Sequence, residues 1–432
     1  MLSARYRMRW LVEQGLVRAA LKRQARRGDP FGILLAAPQG LHDPYPYIEE
    51  IRQRGRMYRS PVGWVTTDYE ITRNLLRSND FGIFGIDSTS TPTALRAILN
   101  AVALPPNPVE PPSMLVLDPP DHTRLRKSVS KAFTPRAIAR LRERVEAVTA
   151  DLLDALPEGG SADLVTDFAA RLPIAIISDM LGFPDESRDR FLTWGDEITA
   201  MLDIGITWKQ WRIAVESMRV MDGYLDAHIA RLRREPGEDI LSSLVTAGEL
   251  DDRELKATAS LLMGAGFETT VNLIGNGVNR LLEHPDQLAL LRADPALWPT
   301  ATEEILRFDA PVTNTARIAK SDTEIGGRRA RKGTVVVTSL AGANRDPGVF
   351  ENPGVFDVTR ANAKDHLSFS SGIHSCLGAS LARMEATHAL RSLFERFPDL
   401  ALAGTPQRRP LYTLYGFTHM PARLGKRVTA QV

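Results

Sequence analysis

The chain has 432 residues, 43% of them hydrophobic and 25% charged, with a formal net charge of +2 and one cysteine. Those proportions suit a soluble globular protein with an ample core, and the near-neutral balance, without a basic stripe interleaved with aromatics, gives no reason to expect nucleic acid. A single cysteine excludes an internal disulfide and suits a reducing, cytoplasmic setting.

The first 30 residues are rich in arginine and offer Trp10, Leu11, Val17 and Leu21 for one helical face. No apolar run reaches signal-peptide length, and none approaches the ~20 residues of a membrane span. Residues 1–30 therefore read as a basic N-terminal extension, its face either solvated or in peripheral contact with a membrane. Residues 31–432 read as a single domain, without internal repeat or linker. The proline-rich segment 103–114 is predicted to be a long loop of the kind that walls pockets. Apolar periodicity predicts helices near 121–133, 135–156, 163–181, 189–203, 208–234, 252–283 and 297–308. The second opens on Pro135 and aligns Ile138, Leu141, Val145, Val148 and Leu152. Strand-like patches are short, at 63–67, 315–319 and 333–339, with a hairpin pattern at 409–420. The fold class is mainly α with small β-sheets.

The only cysteine stands in "SFSSGIHSCLG", residues 368–378. Gly372 and Gly378 bracket it, as where a backbone turns tightly or lets a flat group approach. Ala382, Ala386, Leu390, Leu393 and Phe397 follow at helical spacing, so Cys376 precedes a helix whose N-terminal amides favour a thiolate. A thiolate is a nucleophile or a metal ligand. Zinc would need more ligands than the nearby His366 and His374 supply, and a nucleophile would need a base placed better than His374 on a tight loop. A flat macrocycle whose metal takes one axial thiolate uses every residue, with Gly378 against its plane and His374 at a peripheral carboxylate. Spacing alone leaves all three readings open.

Three other patterns carry polar groups. "LLMGAGFETTVNL", residues 261–273, interrupts a helical pattern with glycines, which weaken a helix, and sets Glu268, Thr269 and Thr270 in an otherwise apolar stretch. Glu304 and Arg307 lie three apart on one helical face, by itself a weak surface pair. His122 and Arg126 share a face at i and i+4.

The loop closely resembles the haem-binding loop of the cytochrome P450 family at Phe369, Gly372, His374, Cys376 and Gly378. It departs at Ser370, where that family usually carries glycine. The resemblance runs from about residue 40 to residue 420. It implies the cytochrome P450 fold, with a b-type haem between the long central helix and the cysteine-bearing loop, and Cys376 as the axial ligand of the iron. Ala265 and Gly266 would line an oxygen groove where the central helix widens, Thr269 would hydrogen-bond dioxygen, and Glu268 would relay protons. His122, Arg126, Arg317 and His374 would bind the haem carboxylates, and Glu304, Arg307 and Arg360 would form a buried structural network.

The activity implied is that of a bacterial-type monooxygenase, inserting one atom of O2 into a C–H or C=C bond of an apolar substrate. Electrons would come from NAD(P)H through a ferredoxin reductase and a ferredoxin docking on Arg124, Lys127, Lys131 and Arg136. The implied pocket walls, about 81–118, 185–215, Pro311 to Thr315 and the final hairpin, contain Ile98, Leu99, Val102, Ile204, Ile206, Leu414 and Phe417, which suit a fairly large apolar molecule. Two other outcomes fit the same residues: C–C or C–O coupling or rearrangement without oxygen insertion, and a haem-dependent binder that never turns over.

Overall fold

The computed structural model describes residues 4–36, 42–60, 63–84 and 102–428. Its axle is the helix Asp252–Glu283, on which most residues from Leu255 to Leu281 are buried. A helix apolar nearly all round must lie inside the protein, and 32 residues extend it about 48 Å. A capping box fixes its start: the Asp251 carboxylate accepts from Glu254 N at 2.8 Å, and the Glu254 carboxylate accepts from Asp251 N at 3.2 Å. The helices Arg171–Met180, Arg188–Thr199, Trp208–Arg234, Trp298–Phe308 and Ala379–Arg396 pack around it.

Two predicted helices, 208–234 and 252–283, have the bounds that periodicity gives them. Others differ for local reasons. The 135–156 pattern is split at Leu141, whose amide bonds back to Ile138 O in a tightened turn between Pro135–Arg140 and Arg142–Ala155. The 163–181 pattern starts late, because Asp163 accepts from Val165 N and Met420 N, both at 3.0 Å. That draws Ser161–Asp163 into a strand against Pro421–Arg423. The helices Tyr45–Gln53, Tyr69–Arg77 and Pro285–Ala293 are too short for a period to stand out.

The main sheet has the strand order Tyr58–Ser60, Gly63–Thr66, Val335–Ser339, Asn314–Ala319, Phe81–Ile83. Only the second and third run parallel. The predicted 409–420 hairpin pairs Gln407–Arg408 with Phe417–His419 across an irregular register.

The N-terminal residues pack against the rest of the chain as the helices Ala4–Trp10 and Leu16–Arg26, joined by a wide turn at Leu11–Gly15. The extra residue in that turn breaks the single face expected of Trp10, Leu11, Val17 and Leu21. Leu21 is buried and Trp10 meets the Trp208 ring edge-on, whereas Leu11 is exposed. Among the described residues no helix is long and apolar enough to cross a membrane.

Candidate active site

Cys376 lies in a loop that folds on itself before the helix Ala379–Arg396. Its amide donates to Phe369 O at 2.8 Å, and Ser370 N donates to Leu367 O at 2.8 Å. Gly372 has φ +74, and a Cβ there would stand 2.5 Å from Leu76 O, so the turn needs glycine. Ser370 has φ +61, which accounts for the glycine found at this place in the family that the loop resembles. Gly378 differs: its φ is ordinary, and a Cβ would meet nothing within 4 Å. The space beside it is open, and Cys376 is an exposed residue whose sulfur is nonetheless set deep in the loop. The expectation of a thiolate favoured by the helix start needs correction. Burial pushes the thiol pKa up, outweighing the Gly378 amide and the charges of Arg126 and Arg383. A metal cation reverses that balance by taking the thiolate as ligand.

Four predicted residues converge next to this loop. His122, on the helix Asp121–Ser130, has its ring centre 4.1 Å from that of His374. Arg126, one turn further on, donates to Ser375 O at 2.6 Å. Arg317, on Asn314–Ala319, is buried and donates to Thr315 Oγ1 at 3.1 Å and Ala316 O at 2.9 Å. Among the described residues no carboxylate forms an ion pair with any of the four, and Asp118 acts on His122 and Arg317 only from a distance. His122 Nδ1 and His374 Nε2 are buried without a hydrogen-bond partner. Burial, then His122, Arg317 and Arg126, push His374 down to about 3, and burial takes Arg317 down to about 10. His374 is therefore neutral at pH 7, and the charge here is that of the two arginines, whose burial without an ion-paired carboxylate is costly and would be offset by anionic groups. The residues therefore fit a flat macrocycle with carboxylate arms: an open face at Gly378, one thiol, and two arginines beside it. Among the described residues no group of three His, Cys, Asp or Glu could hold a metal ion, so the zinc reading finds no ligand set there.

The central helix carries the second half of the site. Ala265 is exposed in mid-helix, and Thr269, one turn on, donates from its hydroxyl to Ala265 O at 3.0 Å. Thr269 and Gly266 are half-buried. At Gly266 a Cβ would lie 3.0 Å from Ile177, so the missing side chain admits the neighbouring helix, a different use from the oxygen groove expected of it. The expected widening is absent too: Asp252–Glu283 runs unbroken, and the wide turns of the described chain lie at Leu11–Gly15 and Val165–Ala169. Glu268 is buried, with Oε2 3.1 Å from Arg409 Nη2 but out of line for a hydrogen bond. Burial pushes its pKa up to about 7, against the opposing pull of Arg409.

Glu304 and Arg307 are fully buried rather than a surface pair. Two bonds of 2.7 Å join them, and Arg307 also donates to Asn344 O and Pro353 O at 3.0 Å. Arg360 Nε lies 3.2 Å from Glu304, and Arg360 donates to Glu351 O at 2.7 Å. Of the basic face, Lys127, Lys131 and Arg136 are exposed, while Arg124 pairs with Glu254. Among the suggested pocket residues, Ile98 and Leu99 lie outside the described residues. Val102, Ile206, Leu414 and Phe417 are buried, and Ile204 is exposed.

Sequence reasoning missed two groups. Arg409 bridges Glu268 and the exposed Asp196, a contact across 213 residues with no local signal. Glu385 is buried, its Oε2 has no partner, and burial alone pushes its pKa up to about 8. Its position between Leu381 and Ala389 on a buried face was the available sign.

A buried central helix, a loop thiol, and two arginines and two histidines with no ion-paired carboxylate among the described residues suit a haem-thiolate protein. Comparison with known proteins places it. The sequence profile described as Cytochrome P450 matches residues 96–294 and 297–423. Cytochrome P450 140 of Mycobacterium tuberculosis is 43% identical over 427 residues, covering 97% of this chain and 98% of that protein. The 6-deoxyerythronolide B hydroxylase of Saccharopolyspora erythraea is 45% identical over 316 residues, covering 71% of this chain and 76% of that one. CYP164A2 of Mycobacterium smegmatis, also solved with econazole bound, superposes with a TM-score of 0.82 at 36% identity over 92% of this chain and 99% of its own. The chain belongs to the cytochrome P450 family, whose members are haem-dependent, O2-using monooxygenases.

Proposed function

We propose that this enzyme inserts one atom of O2 into a C–H or C=C bond of an apolar organic substrate, with electrons from NAD(P)H delivered by a ferredoxin and its reductase in the cytoplasm. The observation that carries the reading is the cluster of His122, Arg126, Arg317 and His374 beside Cys376, which has two unpartnered ring nitrogens and no ion-paired carboxylate among the described residues. Cys376 would ligate the iron of haem b, Gly378 would lie under the macrocycle, and the cluster would hold its carboxylates by charge-assisted hydrogen bonds. When bound, that group supplies oxygen activation.

The protein supplies protons and shape. Burial raises the Glu268 pKa to about 7, into the range in which a carboxyl both gives and regains a proton readily near neutral pH. The Thr269 hydroxyl, now donating to Ala265 O, turns to donate into the open space beside Ala265. Lys127, Lys131 and Arg136 leave an exposed cationic surface for an acidic ferredoxin. A large apolar substrate agrees with a relative named as a 6-deoxyerythronolide B hydroxylase.

The deciding experiment is the carbon monoxide difference spectrum of the dithionite-reduced protein. A strongly red-shifted Soret band is expected. A band at the position of histidine-ligated haem in undenatured protein would overturn Cys376 as ligand. With the band in place, substrate-dependent NADH oxidation through a surrogate ferredoxin, with oxygenated product, separates oxygen insertion from coupling and from binding alone.

A further inference from the structure

The N-terminal segment Ala4–Arg26 ties together two parts of the chain that border the site. One is the loop 102–118, which leads straight into the helix carrying His122 and Arg126. The other is the connection 200–211, which follows the helix Arg188–Thr199. That helix approaches the central helix where Gly195 meets the Phe267 ring, one residue before Glu268. Asp203 in the connection accepts from Tyr412 N at 2.8 Å and Thr413 N at 2.7 Å, near the hairpin that carries Arg409.

The contacts are built, not incidental. Arg9 is buried, donates to Val102 O at 2.5 Å, and pairs with both Glu110 and Glu13. Trp10 Nε1 donates to Ile206 O at 3.2 Å. The Gln14 side chain accepts from Gly205 N at 2.7 Å, and Arg18 donates to Gly205 O at 2.7 Å. Gly205 has φ +77, and a Cβ there would be 3.2 Å from Arg18 Cα, so the two backbones approach closely. Beneath lie Leu104, Ile206, Trp211 and Val215, covered by Tyr6 and Trp10. A segment with a buried arginine and paired backbone contacts is held in place rather than lying loosely on the surface.

We propose that residues 4–26 are a specificity-determining strap: by bonding to Val102 and Glu110 on one side and to Gly205 and Ile206 on the other, they hold closed the way between the two loops and so select ligands by size. The inference rests on the monooxygenase reading and includes the proposal that the site is reached between these loops, where Leu104, Ile206, Trp211 and Val215 now pack together. A bulky molecule must part the loops and therefore break strap contacts, whereas a diatomic gas need not.

The test uses the haem-loaded full-length enzyme, whose carbon monoxide spectrum settles the haem-thiolate reading separately. Stopped-flow binding of econazole and of carbon monoxide is measured in wild type, in Gln14→Ala/Arg18→Ala, in Trp10→Ala, and in a control on the exposed side, Arg23→Ala. The double variant loses two hydrogen bonds to Gly205, so econazole association should quicken about tenfold while carbon monoxide binding and the Arg23→Ala control stay unchanged. Trp10→Ala should act in the same direction. Amide exchange in 102–110 and 203–211 should rise in both strap variants. Unchanged exchange in those two loops would show that the strap does not hold them and would overturn the proposal. Faster exchange with econazole rates at the wild-type value would overturn it equally.

Discussion

Two clusters of basic residues near the cysteine loop are balanced in opposite ways. In the first, Arg307 and Arg360 share the Glu304 carboxylate and spend their remaining donors on backbone carbonyls. In the second, Arg317, Arg126, His122 and His374 form no ion pair among the described residues, Asp118 acts only from a distance, and two ring nitrogens are orphaned. The chain itself neutralises the first cluster, and under the proposed function a ligand would balance the second. The difference separates charges that maintain the fold from charges that a cofactor would offset.

The sharpest way to break the contrast is Glu304→Gln. It leaves two buried guanidinium groups without a counter-ion, and the cost should be about 3–5 kcal/mol, read as a large fall in the denaturation midpoint with or without haem. Glu385 offers the reverse sign. Its folded pKa, raised to about 8, lies above that of an unfolded carboxyl, so the folded state keeps a proton that the unfolded state releases. Stability therefore falls as pH rises from the ordinary carboxylate range to about 8. Glu385→Gln should remove that slope and raise stability at pH 8 by roughly 2–4 kcal/mol, with little change at pH 4, in paired denaturant titrations.

Arg317→Ala should separate the two clusters most directly. Because the guanidinium is buried without an ion-paired partner and only the more distant Asp118 favours its charge, the haem-free chain should lose little stability. Haem retention, measured by transfer to apomyoglobin, should weaken about tenfold, the loss of one charge-assisted pair. Glu304→Gln should instead lower the haem-free midpoint. The smallest effect belongs to the cysteine loop. Ser370→Gly relieves a left-handed serine and should stabilise by about 0.5–1 kcal/mol in thermal unfolding, leaving the carbon monoxide band in place.

Much of this was readable from residues alone. The bounds of Trp208–Arg234 and Asp252–Glu283 follow from apolar periodicity and polar caps, which are local properties. So does the turn chemistry at Gly372, where φ +74 demands glycine. The motif around Cys376 named the family before any coordinate did. The Glu304 and Arg307 spacing named a pair, but its burial, which turns a weak pair into a structural one, depends on Asn344, Pro353 and Arg360 arriving from elsewhere in the chain.

What the sequence by itself determined is the chemistry available: one thiol in a glycine-framed loop, one acid and one alcohol in a core helix, and a small set of cations at fixed spacings. Tertiary structure alone decided which of those groups are paired. Gly266 serves packing because Ile177 arrives beside it, Glu268 meets Arg409 from a distant hairpin, and the N-terminal face turns inward because Gly205 and Trp208 receive it. The physical reason is that pairing and desolvation depend on neighbours far away in the chain, whereas periodicity, capping and turn conformation depend on neighbours within a few residues.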